Sequence, residues 1–275
     1  MKRFLAIILA GLMLLSLAAC GGKKDENVIK FGVIAGSSME TATTPEHSEH
    51  MKIDTGDSAD VTLERINYDN LSSALLDLES GKIKAFGIEK STAEYIAAHN
   101  DKVTFVVNNR NTDFSMLTSD SNTEVYDILN NAIMEMKADG TLETLIENEL
   151  KAYINSDPVA KELPHFDGAK TIKVGVTGDV PPMDFVSTDG KAAGFNIALL
   201  TEIANRAQVN FELVQIETGA RAMALSTGKV DAVFWAKSVT CVACDMTWTE
   251  EIENTLVTEF YFSEFSAFVM PKDKK

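Results

Sequence analysis

Between Thr171 and Trp235 the period of the apolar positions changes in a definite order. Ile172-Lys173-Val174-Gly175-Val176 reads as a short strand, closed by Gly178-Asp179 and by Pro181-Pro182, which cannot extend a sheet. From Phe195 to Arg206, Ile197, Leu199, Leu200, Ile203 and Ala204 recur at helical spacing. Phe211 to Val214 alternates like a second strand. Arg221 to Leu225 opens a short helix ended by Thr227-Gly228, and Val230 to Trp235 is a third, nearly all-apolar strand. Strand, helix, strand, helix, strand predicts a parallel sheet, which gathers ligands at the carboxyl ends of its strands.

The first half repeats this grammar. Val28–Ile34 is a predicted strand that stops at Gly36-Ser37-Ser38, where hydroxyls and backbone N–H groups can hold an anion. Val61–Ile66 and Ile83–Ile88 are predicted strands, the latter finishing at Glu89, with helices over Asn70–Leu78 and Thr92–His99. Val103–Val107 and Phe114–Leu117 read as two extended pieces. Thr123–Tyr153 reads as two helices parted by Asp139-Gly140.

Charge and cysteines narrow the class. A net charge of −16 leaves nothing to neutralise phosphates, so a nucleic-acid partner is excluded. Lys2-Arg3, the apolar run Phe4–Leu17 and Leu17-Ala18-Ala19-Cys20 form a signal peptide resembling a bacterial lipobox, with cleavage before Cys20 and lipid on its sulfur. Residues 20–27 then form a polar tether, which places the chain outside the cytoplasm on a membrane surface. Cys241 and Cys244 read as free or locally bridged thiols in a loop. Glu46-His47-Ser48-Glu49-His50 has metal-ligand character but lacks a third fixed ligand, and reads as a solvated loop. No metal or cofactor is expected.

VGVTGDVPPMDFVSTDGKAAGFNIALLTEIA, ALSTGKVDAV and the later FYFSE resemble the first lobe of the family 3 solute-binding proteins, extracytoplasmic receptors that hand amino acids and similar solutes to ABC importers. FGVIAGSS, LLDLESGKIKAFGIEKSTAEYI and MEMKADGTLETLI resemble the second lobe and closing helices of the same family, here placed before the first lobe. The resemblance implies a type II periplasmic-binding-protein-like α/β fold of two lobes, circularly permuted. Its expected parts are residues 28–118 for lobe two, 119–155 for closing helices packed on lobe one, 156–169 for a linker and 170–275 for lobe one. Permutation is tolerated where old termini lie close together at the surface.

The resemblance also implies a ligand site drawn from both lobes. Ser37 and Ser38 match the family's anion cradle, and Glu89 the acid that receives an α-ammonium group. Asp179 and Phe185 flank the turn after the first strand, where an aromatic covers the ligand. Trp235 and Ser238 follow the third strand, Ser238 at a hydroxyl position. The family's Thr-x-x-Arg reads Thr240-Cys241-Val242-Ala243 here, so the arginine that forks onto an α-carboxylate is absent. Arg221 remains for an anion, unless it pairs on the surface with Glu217 or Glu202. No catalytic signature is present. The reading is a monomeric, non-enzymatic, lipid-anchored receptor for a small polar solute, partnered by an ABC permease; the alternatives are a degenerate surface or sensory module and a small-acid dehydratase on the same fold.

Overall fold

A computed structural model describes residues 28–35, 37–43, 62–187, 189–242, 245–249 and 251–272. The signal peptide with Cys20, the tether, the Glu46–His50 cluster, Ala243 and Cys244 lie outside these residues.

One mixed sheet and the helices on its faces make the fold. In chain order the strands are β1 (Val28–Ile34), β2 (Thr62–Tyr68), β3 (Ala85–Glu89), β4 (Val103–Ser119), β5 (Thr171–Val176), β6 (Asp179–Val180), β7 (Asp184–Val186), β8 (Ala192–Ala193), β9 (Asn210–Gln215), β10 (Ala232–Cys241), β11 (Met246–Thr249), β12 (Thr255–Val257) and β13 (Phe262–Pro271). The helices are α1 (Ser38–Ala42), α2 (Leu71–Glu79), α3 (Lys90–His99), α4 (Thr123–Asp139), α5 (Thr141–Leu145), α6 (Phe195–Ala207) and α7 (Arg221–Ser226). The sheet runs β2-β1-β3-β13-β4-β10-β5-β9, with β11 beside β10, β12 beside β4, and β6-β7-β8 as a small separate sheet. Strands β1, β2 and β3 are mutually parallel, as are β10, β5 and β9, while β13 and β4 run antiparallel between the two groups.

Two cores sit at the ends of this sheet. One packs Ile34, Leu71, Leu78, Ile83, Phe86 and Ile96 with Ala267 and Val269. The other packs Leu129, Ile133 and Met136 of α4 against Phe195, Leu199 and Ile203 of α6 and Val174 of β5. A smaller cluster around Leu225, Val233 and Trp235 covers the opposite face of the sheet at β10. The α4 helix ends at Gly140, whose φ of 79° suits only a residue without a Cβ cost.

The connection between lobes differs from the expected separate extended pieces. Residues 103–119 are one unbroken strand, pairing with β13 from Val103 onward and with β10 as far as Thr118. Strand β13 likewise begins with Phe262 in one core and ends with Val269 in the other. Strands β4 and β13 therefore each contribute to both cores. An unbroken ladder is favoured because ending it between the two cores would leave buried backbone groups unpaired. The ladder carries register shifts, between Ala236 and Ser238 in β10 and between Phe265 and Ala267 in β13, of the kind that kink and twist a strand. At that level Asp113 of β4 accepts hydrogen bonds from Ser238 of β10 (2.9 Å) and Ser263 of β13 (2.5 Å), tying the three strands together.

Helix α6 starts without a side-chain cap. Its first N–H groups are met by backbone carbonyls, Phe195 N–H by Pro182 (3.1 Å) and Asn196 N–H by Met183 (2.9 Å). Gly194, at φ 98°, makes this turn, and a Cβ there would stand 2.7 Å and 2.8 Å from those same two carbonyl oxygens. Gly194→Ala is expected to destabilise the protein by about 2–4 kcal/mol through backbone strain and displaced caps. Denaturant unfolding, with an unchanged m-value, checks this.

Candidate functional site

The cleft between the lobes encloses about 610 Å³ of space, that open to solvent included. Strand ends aim its polar residues. On the first lobe of the chain, β1 runs out at Ile34 and Ser37 caps α1, its hydroxyl accepting from Glu40 N–H at 3.4 Å. Ser38, buried in the first turn, donates its hydroxyl to Glu89 at 2.8 Å. Glu89 closes β3 and is 7% exposed. Thr92, one turn along α3, also lines the cleft.

The other lobe supplies Arg221 at the start of α7, Asn196 at the start of α6, Trp235 on β10, and Tyr261 just before β13. Asp184 is buried beneath them, its carboxylate accepting from Thr177 N–H and Gly178 N–H, each at 2.9 Å. Burial pushes the Asp184 carboxyl above the usual range, against the hydrogen bond from the Thr177 backbone and the attraction of Arg221. The Arg221 guanidinium is pulled below its ordinary value by burial, opposed by Asp184, Tyr261, Glu89 and Asp179 in that order. Among the described residues Arg221 has no hydrogen bond and no ion pair. Glu202, one of its expected surface partners, is taken by Arg206 at 2.8 Å.

Among the described residues, four buried polar atoms on the cleft wall have no hydrogen-bond partner: Thr92 Oγ1, Asn196 Oδ1, Trp235 Nε1 and Tyr261 Oη. Buried orphans of this kind each cost about 1–3 kcal/mol, so a cluster of four in one cleft marks a surface shaped for a polar guest. Phe114, Phe234, Ile88 and Met183 complete the lining with apolar contact. Apolar walls with a few convergent polar groups describe a small-molecule site. Among the described residues no group of three or more His, Cys, Asp and Glu is placed to hold a metal.

Comparison with known proteins bears on the part of the chain from β5 onward. Residues 172–275 match the bacterial extracellular solute-binding proteins, family 3. The carboxyl-terminal part of the chain is thus similar to that family. The L-arginine-binding protein of Pseudomonas aeruginosa is 27% identical over 109 residues, which cover 39% of this chain and 39% of that protein. The chain thus aligns with well under half the length of this curated relative. Among solved structures, a ligand-binding component of an ABC-type import system from Staphylococcus aureus with zinc bound is 12% identical, covering 89% of this chain and 66% of that one at a TM-score of 0.45. A putative L-cystine ABC transporter from Listeria monocytogenes is 14% identical, covering 90% and 84% at a TM-score of 0.40.

The candidate residues drawn from the resemblance to family 3 separate into two groups. Ser37, Ser38, Glu89, Arg221 and Trp235 all line the cleft. Phe185 lies outside the lining: it sits on β7, cross-strand from Asp179 on one side and Ala193 on the other. The aromatic faces in the cleft are instead those of Phe114, Phe234, Trp235 and Tyr261. Ser238 is spent on Asp113 at the strand crossing. Asp179 also stands outside the lining, near the Leu71 N–H at the start of α2. Cys241, 3% exposed, is disulfide-bonded.

Asn196, Tyr261, Thr92 and Asp184 went unread in the sequence. Asn196 was the findable one, a polar residue inside the apolar run Phe195–Leu200 and 4% exposed. Tyr261 is masked by its neighbours Phe260 and Phe262, which make it look like core.

Glu264 adds a titratable group at the edge of the site. It accepts from Ser91 N–H (2.8 Å) and the Ser91 hydroxyl (2.7 Å), capping α3 from β13. Burial pushes its carboxyl from an ordinary 4.5 up to about 8, with nearby Glu89 adding to the shift. The folded chain therefore holds this proton more tightly than the unfolded chain. Its stabilising contribution is complete below pH 4.5 and is lost as pH climbs through about 8. In melts between those limits, the fall in stability with rising pH is expected to be shallower for Glu264→Gln than for the parent protein.

Proposed function

We propose that this protein is an extracytoplasmic, lipid-anchored solute-binding receptor that delivers a small polar solute to an ABC importer by closing its two lobes. One observation carries the reading: Arg221 from one lobe and Glu89 from the other line a single cleft whose wall, among the described residues, holds four buried, unpartnered polar atoms. An anionic group on the solute takes Arg221, with Trp235 Nε1–H and Tyr261 Oη–H as further donors. A cationic or hydrogen-bonding group takes Glu89, already oriented by Ser38. The solute class is amino-acid-like, anionic or zwitterionic, consistent with the family whose model residues 172–275 match and with a relative named for L-arginine binding. Binding favours the closed arrangement because only there do both lobes touch the solute at once.

The lipid anchor on Cys20 and the permease partner come from the lipobox and from the family. We read the chain as circularly permuted: α4 packs on the core built by residues 172–262, while the last strand ends in the core built by residues 34–103. A receptor needs neither a covalent step nor a cofactor, and the reading is of a non-enzyme acting as a monomer. The missing arginine at Ala243 favours a second reading, a degenerate member that binds no solute and serves as a surface module.

A thermal-shift screen of the chain from Gly21 onward separates the two, using amino acids, small dicarboxylates and amines. A solute at 100 times its Kd is expected to raise Tm by about 5 °C or more. Arg221→Ala and Glu89→Gln are expected to abolish that shift while melting near the parent temperature. A folded protein silent across the panel supports the surface module.

A further inference from the structure

Lobe closure, if it occurs as proposed above, needs contacts that hold the two lobes together at the mouth of the cleft. The strand order supplies them in pairs. In the first lobe β1 and β2 are adjacent and parallel, so the loops that follow them, at Ala35 and at Asn70-Leu71, stand side by side. In the other lobe β5 and β9 are adjacent and parallel, and the segments after them carry Asp179 and Gly219. The two pairs of segments meet. A Cβ built on Gly219 would stand 3.3 Å from the Ala35 Cβ, tighter than an ordinary contact, so any larger residue there pushes the two segments apart. Strand β6, which begins with Asp179, packs against α2.

The chemistry of the second meeting is specific. Asn70 caps α2 by accepting from Ser73 N–H at 2.9 Å, which leaves the N–H groups of Leu71 and Ser72 at the helix start without that cap. Burial pushes the pKa of the Asp179 carboxyl, from the opposite lobe, upward, and the Leu71 N–H lies near enough to favour its charged form against that shift. A carboxylate at a helix amino end meets both an open donor and the positive end of the helix dipole. The other groups around Asp179 are Thr177, Asp184 and Arg221, all of its own lobe.

We infer that Asp179 is a positioning residue for closure: it bridges the cleft mouth onto the amino end of α2, while Gly219 supplies the clearance at Ala35 that lets the bridge form. Asp179 thus acts on the open–closed balance and touches no solute. This rests on the two-lobe closure proposed above, but it concerns the protein without solute, so failure to find a solute leaves it standing.

Small-angle X-ray scattering of the soluble chain from Gly21 onward, with no solute added, tests it. Asp179→Ala is expected to shift the closed-to-open ratio roughly 2- to 10-fold toward open, seen as a larger radius of gyration, with amide exchange at Leu71 accelerated in parallel. Asp179→Asn keeps an acceptor and loses the charge, and is expected to fall between the two; it also serves if the alanine variant folds poorly. Gly219→Leu, a wedge against Ala35, is expected to open the lobes by sterics alone. A radius unchanged in both Asp179 variants while Gly219→Leu expands overturns the inference. So does an unchanged radius in all three variants, which would mean that these contacts do not govern closure.

Discussion

Everything in this protein depends on β4, one strand of 17 residues that belongs to both lobes. Its amino-terminal part pairs with β13 at the core around Ile83 and Phe86, and its carboxyl-terminal part pairs with β10 at the core around Phe195 and Phe234. Because the ladder is continuous, the lobes cannot be placed independently. Asp113 fixes the crossing by accepting hydroxyl hydrogen bonds from the two strands that flank it. The register shifts in β10 and β13 lie beside that carboxylate. A bend stored in bulged strands that remain hydrogen-bonded is the kind of element that turns small changes in contact into lobe motion.

The cleft follows from this frame. Parallel strands β1 and β3 deliver Ser37, Ser38 and Glu89 from one side; β7, β10 and the starts of α6 and α7 deliver Asp184, Asn196, Trp235 and Arg221 from the other. The electrostatic arrangement is uneven. One guanidinium faces two lining carboxylates, Glu89 and Asp184, and Asp184 is already occupied by the Thr177-Gly178 turn. A cleft in which, among the described residues, Thr92, Asn196, Trp235 and Tyr261 each leave a hydrogen bond unmet is costly when empty. A polar solute that meets those groups would offset that cost.

Local pattern carried much of this. The helical spacing of Ile197, Leu199, Leu200 and Ile203 and the apolar runs at Ile172 and Val230 are properties of neighbouring residues, and they describe elements the structure contains. Arg221 and Glu89 were readable because each ends a strand or opens a helix in a segment resembling a known family. What local pattern could not supply was pairing across the chain. Nothing within Asn108–Asp113 says that this polar stretch continues a strand, since its partners Arg110 and Asn111 find register only with residues beyond Val239 and near Phe265. Ser238 looked like a solute contact for the same reason: its acceptor, Asp113, lies 125 residues away. Phe185 resembled an aromatic cover because the sequence does not reveal the small sheet that turns it aside.

Native mass spectrometry of the purified soluble protein, before and after exposure to a mixture of amino acids, small dicarboxylates and amines, tests the central claim most directly. The account predicts one small solute retained per chain, absent from Arg221→Ala and from Glu89→Gln. A folded parent protein that stays bare throughout, or a solute that both variants retain undiminished, would contradict a binding cleft built on these two residues.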